Sequence, residues 1–453
     1  MTSYPVDDDD DPTEDGLWPP AAGAQTYETA DALMRAMVLH PDIKTTRTRR
    51  MAEHGLAEAV GLAAALPYLD VVSAQVVRIG RMSPGLMFGT GKVAEIKAQI
   101  KALDVGLVLV DGAVSPVQQR NLEEEWGCKL LDRTGLILEI FGNRARTREG
   151  VLQVELAALS YQRSRLVRAW THLERQRGGF GFVGGPGETQ IESDRRAIDD
   201  QVIKLKRQLE RVVKTRALHR AARRKIPFPI VALVGYTNAG KSTLFNRMTG
   251  ADVLAKDMLF ATLDPTMRGI TLPSGRKIIA SDTVGFISDL PTQLVAAFRA
   301  TLEEVLEADL ILHIRDIAHP ETSEQAADVA DILAQLGVDP AVPMCEVWNK
   351  LDLVEPSARV SLLAQADNRA GVFPISALTG EGLPTLLAAI SEVFEQAKTE
   401  EALTLTFEGG RARAMLHEAG VVLDEATSET GYTIRVLWTA RQKAEWLAAQ
   451  GKG

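Results

Sequence analysis

The sequence predicts a multidomain α/β protein, and three observations support this class. At 453 residues the chain is longer than one hydrophobic core usually organises. Apolar, strand-like runs alternate with helix-like stretches both before residue 150 and after residue 226, a pattern typical of parallel sheets flanked by helices. Two long helix-like stretches lie between these regions, and a short β-α-β-β-α string follows them. We therefore expect a small N-terminal α/β domain with a long helical hairpin, a central domain with a mostly parallel sheet and a small C-terminal α+β domain.

The first residues differ in composition from the rest of the chain. Residues 1–26 contain an aspartate run, several prolines and few large apolar groups, so they cannot offset the entropy of ordering. We expect a disordered acidic tail there. The predicted domains then follow in order: an N-terminal α/β domain over 27–150, a basic helical hairpin over 151–225, a central domain over 226–398 and a C-terminal α+β domain over 399–453.

The N-terminal α/β domain alternates strands and helices. The pattern predicts strands at 71–79, 105–110 and 129–131 and helices at 93–103 and 116–126. Ser115-Pro116 is a helix start signal, because the hydroxyl can cap the helix and the missing proline N–H costs nothing there. Gly89-Thr90-Gly91-Lys92 lacks the full spacing of a phosphate-binding loop, and we interpret it as a glycine turn that opens a helix.

The middle segment is basic although the protein as a whole is acidic. Between Arg144 and Lys225 there are 20 Lys or Arg against 9 Asp or Glu, whereas the whole chain carries a net charge of −9. A basic block in an acidic protein indicates a polyanionic partner, and a solvated, arginine-rich helical surface is the alternative. Periodic apolar residues over 151–176 and 191–224 predict two long amphipathic helices in this segment.

A glycine-rich stretch from Gly178 to Gly187 separates the two helices and cannot continue either of them. It carries Phe180 and Phe182 on its tip. Exposed aromatic rings in such a loop suit insertion into a partner or stacking on unpaired bases. Folding of the rings onto a neighbouring domain is the alternative.

A phosphate-binding loop follows the apolar run 230–234. The chain reads Gly235-Tyr236-Thr237-Asn238-Ala239-Gly240-Lys241-Ser242, and its backbone N–H groups are expected to curl around phosphate oxygens. Lys241 would neutralise charge on the transferred phosphoryl group, Ser242 would ligate Mg²⁺, and Thr243 completes the cradle. The sequence therefore predicts binding of a nucleoside triphosphate.

Three later sequence motifs indicate which nucleotide base is bound and which segment responds to the γ-phosphate. Asp282-Thr283-Val284-Gly285 follows an apolar run, so its carboxylate could hold the water shell of the metal and its glycine N–H could sense a γ-phosphate. In Asn349-Lys350-Leu351-Asp352 the Asp carboxylate can accept hydrogen bonds from N1–H and the 2-amino group of guanine, a donor pair that adenine lacks. Ser376-Ala377-Leu378 is similar to the loop that contacts the guanine oxygen in P-loop GTPases. We expect an enzyme that hydrolyses GTP to GDP.

Cysteine use and hydropathy narrow the cellular setting. Cys128 and Cys345 lie in different predicted domains, which excludes a disulfide framework and indicates a reducing compartment, the cytoplasm. No apolar run is long enough for a transmembrane helix, and the N-terminus lacks a secretion signal. We expect a monomer without stable membrane insertion and without a DNA partner.

Taken together, the layout from about residue 40 onward resembles the HflX family of ribosome-associated GTPases. The most specific stretch is the string from Gly184 to Gln190, Gly-Gly-Pro-Gly-Glu-Thr-Gln. Other matching stretches are Gly89 to Glu95, Asp132-Arg133-Thr134, Arg144 to Glu149, Glu192, Asp194-Arg195-Arg196, Phe260 to Pro265 and Asp282 to Phe286.

The resemblance implies a protein that binds the large ribosomal subunit and contacts ribosomal RNA near the peptidyl-transferase region with its hairpin. It also implies splitting or rescue of stalled ribosomes under stress, and a second, adenine-nucleotide site near Gly89 to Lys92. In the loop Phe260-Ala261-Thr262-Leu263-Asp264, Thr262 matches the switch threonine of the family, a second ligand of Mg²⁺ and a catalytic residue.

Phe286 stands after the switch glycine, where many signalling GTPases have a glutamine that orients water. Phenylalanine cannot hydrogen-bond water, so unaided hydrolysis is expected to be slow. Asn238 matches the position that potassium-stimulated relatives use to coordinate a monovalent cation. We therefore expect K⁺ and the ribosome to activate turnover.

Two other functions remain open on the sequence. One is a protein-only switch that recruits an effector protein through the hairpin without touching RNA. The other is a GTPase for ribosome assembly or RNA modification. Salt dependence of binding separates the first from RNA binding, because phosphate contacts weaken steeply with salt.

Overall fold

The protein is described here from a computed structural model. It describes residues 33–43, 51–176, 186–223, 228–251, 259–260, 266–288, 304–396, 398–428, 430–439, 442–443 and 446–447. The chain forms two compact units. Unit 1 contains the described residues up to Val212 together with Leu259 and Phe260, and unit 2 contains the other described residues from Val213 onward.

Unit 1 is built on a four-stranded parallel sheet with strand order β2-β1-β3-β4. The strands are β1 (Met34–Ile43), β2 (Leu69–Ile79), β3 (Leu107–Val110) and β4 (Lys129–Asp132). The helices between and after them are α1 (Ala52–Ala64), α2 (Thr90–Ala102), α3 (Pro116–Trp126) and α4 (Arg133–Arg144). The alternating pattern predicted for this region is confirmed, although β1, α1 and α4 were not anticipated.

Strand β1 lies inside the sheet, but the sequence does not show it as a continuous apolar run. Arg35, His40 and Pro41 interrupt its apolar run, whereas the four residues from Ala36 to Leu39 are buried. A strand with neighbours on both sides and helices on both faces needs only such a short apolar core. The interruptions lie toward its ends.

The predicted start of α3 is confirmed by a capping box. The Ser115 hydroxyl accepts a hydrogen bond from the Gln118 N–H at 3.2 Å, and the Gln118 side chain accepts one from the Ser115 N–H at 3.0 Å. Two backbone N–H groups at the N-terminal end of the helix are thereby hydrogen-bonded.

The hairpin helices are α5 (Arg148–Gln176) and α6 (Pro186–Arg223). The expectation that Pro186 and Gly187 belong to the interhelical loop is wrong, because α6 begins at Pro186. Proline is favoured in the first turn of a helix, where its missing N–H has no intrahelical partner. Residues 177–185, with Phe180 and Phe182, lie outside the described part of the chain.

Unit 2 contains a six-stranded sheet in the order β10-β9-β8-β5-β7-β6, parallel except for β6. Its strands are β5 (Ile230–Gly235), β6 (Thr266–Thr271), β7 (Lys277–Asp282), β8 (Leu310–Asp316), β9 (Met344–Asn349) and β10 (Val372–Pro374). Its helices are α7 (Lys241–Thr249), α8 (Thr322–Leu336), α9 (Pro356–Asp367) and α10 (Leu383–Gln396). The central strands are buried, as continuous apolar runs in parallel sheets usually are.

The last part of unit 2 is a three-stranded antiparallel sheet in the order β11-β13-β12. The strands are β11 (Lys398–Thr406), β12 (Val422–Ser428) and β13 (Gly431–Thr439), and α11 (Gly410–Glu418) precedes β12. Buried Trp438 packs against Trp446, with ring centroids 5.4 Å apart. Most of the predicted final helix, 440–449, lies outside the described residues, as does the acidic tail. The predicted multidomain α/β class is confirmed.

None of the helices in the described ranges is long and apolar enough to cross a membrane.

Candidate nucleotide-binding site

The phosphate-binding loop lies at the carboxyl end of β5, between the neighbouring strands β7 and β8. Gly240 has φ of +93°, and a Cβ atom on it would lie 2.2 Å from Nδ2 of Asn349. A Cβ atom on Gly235 would lie 2.2 Å from the carbonyl oxygen of Ile314. Only glycine fits at these two positions, so the loop can follow a path that larger residues would prevent.

Lys241 is the first residue of α7, and its side chain turns back into the loop. Its Nζ donates to the carbonyl oxygens of Gly235 at 3.1 Å and of Tyr236 at 2.8 Å. Burial lowers the pKa of Lys241 to about 8, and the nearby Asp282 carboxylate offsets this only in part. A cation is thus held inside the loop, where phosphate oxygens are predicted to bind.

Ser242 and Asp282 come together at the edge of the sheet. The Ser242 hydroxyl donates to Oδ2 of the buried Asp282 at 2.7 Å. Mg²⁺ prefers oxygen ligands of this kind and is commonly held by one or two protein groups plus phosphates. The pair fits the predicted metal site. In the described ranges no group of three or more His, Cys, Asp or Glu side chains is arranged to hold a metal ion by itself.

The switch segment after β7 is bound to the phosphate-binding loop by its backbone. The Phe286 N–H donates to the Gly235 carbonyl at 3.1 Å, and the Thr237 N–H donates to the Phe286 carbonyl at 2.7 Å. The Phe286 side chain is buried, so it lies in the interior and not in a position to orient water. The Thr283 hydroxyl donates to the Leu233 carbonyl at 2.7 Å and fixes the start of the segment. Val284 is buried beside it.

The predicted guanine-binding residues converge on the same edge. Asn349 Nδ2 donates to the Ala239 carbonyl at 2.8 Å, and Asn349 Oδ1 accepts from the Ala377 N–H at 2.9 Å. The Ser376 hydroxyl donates to Oδ1 of Asp352 at 2.5 Å, so one oxygen of this exposed carboxylate has a fixed direction. The geometry suits a carboxylate that accepts two hydrogen bonds from a base.

The remaining predicted contacts occupy varied environments. Lys350 has φ of +65°, and its Nζ forms an ion pair with Asp316 Oδ2 at 2.9 Å. The Leu351 side chain is buried, whereas Leu378 is 70% exposed. Asp316 was missed by sequence reasoning, although an Asp at the end of the buried strand β8 was a usable signal. Asn238, with φ of +60°, is exposed, and Ser242 and Thr243 lie at the start of α7.

The first switch loop is described only at its start. Phe260 is 2% exposed, and its ring packs edge-on against Phe141 of α4, with centroids 4.7 Å apart in unit 1. Its side chain is therefore part of the apolar core of that unit. Ala261, Thr262, Leu263 and Asp264, which include the predicted switch threonine, lie outside the described residues.

The region Gly89 to Lys92 forms the start of α2, with Gly89 as the residue before the helix. Lys92 Nζ contacts Glu95 Oε1 at 2.7 Å and Gln75 Oε1 at 3.4 Å. The prediction of a glycine turn that opens a helix is confirmed.

Comparison with known proteins decides the family. The family models described as GTP-binding GTPase N-terminal, GTP-binding GTPase Middle Region and 50S ribosome-binding GTPase match residues 53–142, 144–223 and 230–350. "GTPase HflX" of Magnetococcus marinus is 46% identical over 412 residues, which cover 91% of this chain and 93% of the relative. The chain belongs to the HflX family.

"GTPase HflX" of Escherichia coli is 42% identical over 408 residues, covering 89% of this chain and 93% of the relative. A solved structure of a GTP-binding protein from Sulfolobus solfataricus in complex with GDP aligns with 80% of this chain and 99% of its own, at a TM-score of 0.43 and 24% identity. As a member of the HflX family with a P-loop GTPase domain, the protein binds GTP and hydrolyses it.

Proposed function

We propose that this HflX-family GTPase binds the large ribosomal subunit through ribosomal RNA and splits or rescues stalled ribosomes under stress. The observation that carries this proposal is a row of cations on α6. Lys204, Arg207 and Arg211 are exposed and line one groove of about 500 Å³ together with Asp200, Ile203 and Gln208. Their spacing of three and four residues places them on one face of the helix.

Such a row suits the phosphate backbone of RNA. Arginine forms bidentate hydrogen bonds with phosphate, and neutralised phosphates release counterions, which makes the binding favourable at low salt. The match of residues 230–350 to a model described as a 50S ribosome-binding GTPase supports the same partner. The described relatives named GTPase HflX support it further.

The domain division belongs to this proposal. We assign GTP binding to a domain over 226–398 and RNA contact to the hairpin over 151–225. The segment 27–150 supports the hairpin, 1–26 is a tail and 399–453 forms an appendage. The protein acts as a cytoplasmic monomer, without DNA and without stable membrane insertion.

In the proposed site, residues 235–243 cradle the phosphates of GTP, and Lys241 neutralises charge on the transferred group. Gly285 senses the γ-phosphate, Asp352 reads guanine, and Ser242 and Thr262 ligate Mg²⁺. The metal supplies charge neutralisation at the phosphate oxygens. Ordering of the switch loops by GTP changes the affinity of the hairpin for its partner.

Phe286 offers no group that orients water, so another group must assist hydrolysis. We propose that Asn238 holds K⁺, because its side chain is exposed at the loop and carries an amide oxygen that can ligate a cation. The expected result is faster hydrolysis in K⁺ than in Na⁺ at equal ionic strength, and no difference for Asn238→Ala. Equal wild-type rates in the two salts would refute the cation site.

A weak adenine-nucleotide site near Gly89 to Lys92 is also proposed. The backbone N–H groups at the start of α2 support it, since helix N-termini favour anions. Titration with ATP should show weak binding that Lys92→Ala reduces.

The main test is sedimentation of ribosomes in a sucrose gradient with the protein and a non-hydrolysable GTP analogue. Intact ribosomes should separate into subunits, with the protein on the large subunit. Triple substitution of Lys204, Arg207 and Arg211 by Glu should abolish this association. The matched control replaces three exposed cations of unit 2, Arg268, Lys277 and Arg435, by Glu and should retain it.

Each alternative function predicts another result. Association with precursor particles or tRNA in place of mature large subunits would favour assembly or RNA modification. Binding that resists added salt would favour a protein effector. Loss of association in the control variant as well would show that net charge, and not the row on α6, is responsible.

A further inference from the structure

Tyr236 lies where hydrogen bonds connect the phosphate-binding loop to the switch segment. Its buried side chain extends to the end of that segment, where its hydroxyl oxygen accepts a hydrogen bond from the Ser288 N–H at 2.8 Å. The backbone on both sides of Tyr236 makes the two further bonds to Phe286 described above. Three hydrogen bonds around one loop residue thus hold the chain from Phe286 to Ser288.

Gly285, the residue directly before Phe286, lies against the phosphate-binding loop. A methyl group added to Gly285 would lie 2.9 Å from Cα of Thr237 and 3.2 Å from Nζ of Lys241. The glycine is therefore in direct contact with the loop and beside the lysine ammonium. Lys241 is predicted to reach the outer phosphates and the Gly285 N–H to sense the γ-phosphate, so two groups predicted to bind the γ-phosphate lie side by side.

We propose that the Tyr236 hydroxyl is a specificity-determining, positioning group that favours GTP over GDP by holding the switch segment so that Gly285 stays next to Lys241. Tyr236 acts through the backbone of Ser288 and Gly285 and contacts no phosphate with its side chain. GDP lacks the outer phosphate, so its binding does not depend on where Gly285 lies. The inference concerns the nucleotide site alone and is independent of ribosome binding.

The substitution Tyr236→Phe tests this proposal, because it keeps the buried ring and removes the hydroxyl acceptor. One hydrogen bond of this kind corresponds to about a tenfold change in an equilibrium constant. The affinity for a non-hydrolysable GTP analogue should fall about tenfold in a titration without ribosomes, while the affinity for GDP should stay within about twofold. In steady-state kinetics the KM for GTP should rise, and inhibition by GDP should be unchanged.

The matched control is Tyr161→Phe in unit 1. Tyr161 is a half-buried tyrosine whose hydroxyl also makes a strong hydrogen bond, donated to Asp132 Oδ1 at 2.6 Å. It lies outside the nucleotide site. This variant should lose thermal stability without any change in the ratio of the two affinities.

Amide hydrogen exchange gives a second, direct measurement. In the full-length protein with GTP analogue bound, the peptide that contains Ser288 should exchange faster in Tyr236→Phe than in the wild type. Equal loss of affinity for GTP analogue and GDP would show a merely structural role and overturn the proposal. Unchanged exchange at Ser288 together with an unchanged affinity ratio would overturn it as well.

Discussion

Both parallel sheets of the molecule place polar residues at the carboxyl ends of their strands, but they use them differently. In unit 2 these strand ends carry the glycine-containing loop with Lys241, the Ser242–Asp282 pair and Asn349, which are the residues predicted to bind a nucleotide. In unit 1 the edge is filled by its own side chains. Arg133, at the start of α4, pairs with Asp111 and Glu58, and His40 Nδ1 lies 2.7 Å from Asp111 Oδ2.

The neighbouring strand end of unit 1 anchors a hairpin helix. Asp132 Oδ2 pairs with Arg165 of α5 at 2.6 Å, and its Oδ1 accepts from the Tyr161 hydroxyl and from the Gly135 N–H at 2.9 Å. Burial and the Asp132 charge raise the pKa of Tyr161, which therefore remains a hydrogen-bond donor. The strand ends that are predicted to bind a ligand in one sheet thus correspond to strand ends that bind the hairpin helix α5 in the other.

The difference teaches that sheet topology alone does not make a binding site. In unit 2, glycine at positions 235 and 240 lets the loop follow its path, whereas in unit 1 Arg133 and Arg165 pair with carboxylates at the strand ends. Variants at the strand ends of unit 1 should therefore lower stability and leave nucleotide binding unchanged, whereas variants at the strand ends of unit 2 should mainly lower nucleotide affinity or hydrolysis.

The largest effect is expected for Arg133→Met in unit 1. The change leaves the carboxylates of Asp111 and Glu58, whose side chains are 6% and 12% exposed, without this cation, and breaking a buried pair costs about 3–5 kcal/mol. Chemical denaturation should show this loss of unfolding free energy, while affinity for GDP measured well below the transition stays constant. Arg435→Met, at an exposed pair with Glu400, is the control and should cost less than about 1 kcal/mol. A large loss of GDP affinity in Arg133→Met would contradict the comparison.

On the other edge, Lys241→Ala should lower the rate of GTP hydrolysis by about 100-fold to 1000-fold, as loss of a charge-stabilising donor commonly does. The change in stability should be small, because burial of the ammonium opposes folding whereas its removal leaves the carbonyls of Gly235 and Tyr236 without this donor. Single-turnover hydrolysis and thermal unfolding of the same variant check both statements. A variant that hydrolyses GTP normally would exclude the assigned role of Lys241.

A base-specific change is expected for Asp352→Asn. The amide can no longer accept both guanine donors, so affinity for GTP should fall about 100-fold, the scale on which unpaired polar groups discriminate between ligands. Xanthosine triphosphate has a carbonyl at position 2 that the amide can donate to, and its affinity should rise. Competition titrations with the two nucleotides measure the switch. Equal losses for both would contradict guanine reading by Asp352.

The smallest expected effect is that of pH on the affinity for GDP. Phosphate binding favours the charged lysine, and the pKa of Lys241 in the free protein is lowered to about 8, so affinity for GDP should be constant below that pH and fall above it. The fall should reach about tenfold one pH unit higher. Lys241→Arg keeps its charge and serves as the control, because it shares the titration of the nucleotide itself. Parallel curves for the two proteins would contradict the assignment.

Much of the local geometry at the candidate nucleotide site was predictable because its signals are local. A glycine-rich loop, an Asp after a strand and an Asn-Lys-Leu-Asp string each report their own geometry, and the order along the chain combined them. The pairing of Asn349 with the loop and the burial of Phe286 were not predictable, because they depend on which strand ends become neighbours. The site roles of individual residues stay predictions.

The fold of unit 1 was predictable only in part. Strand β1 was missed because its buried core is four residues long and is flanked by Arg35, His40 and Pro41. The start of α6 was placed five residues late, because Pro186 and Gly187 look like breakers unless a helix begins there. Both errors concern polar residues, glycine or proline, which are tolerated near the ends of a strand or helix but disfavoured in its interior.

Asn349 has a consequence for how the protein can change. A single amide donates to the loop that is predicted to surround the phosphates and accepts from the loop that is predicted to lie beside the base. Exchange for Asp would turn its donor into an acceptor facing the Ala239 carbonyl, and would disturb both halves of the pocket at once. Recognition of the base and of the phosphates is therefore not modular here: a mutation that retunes one must be accommodated by the other.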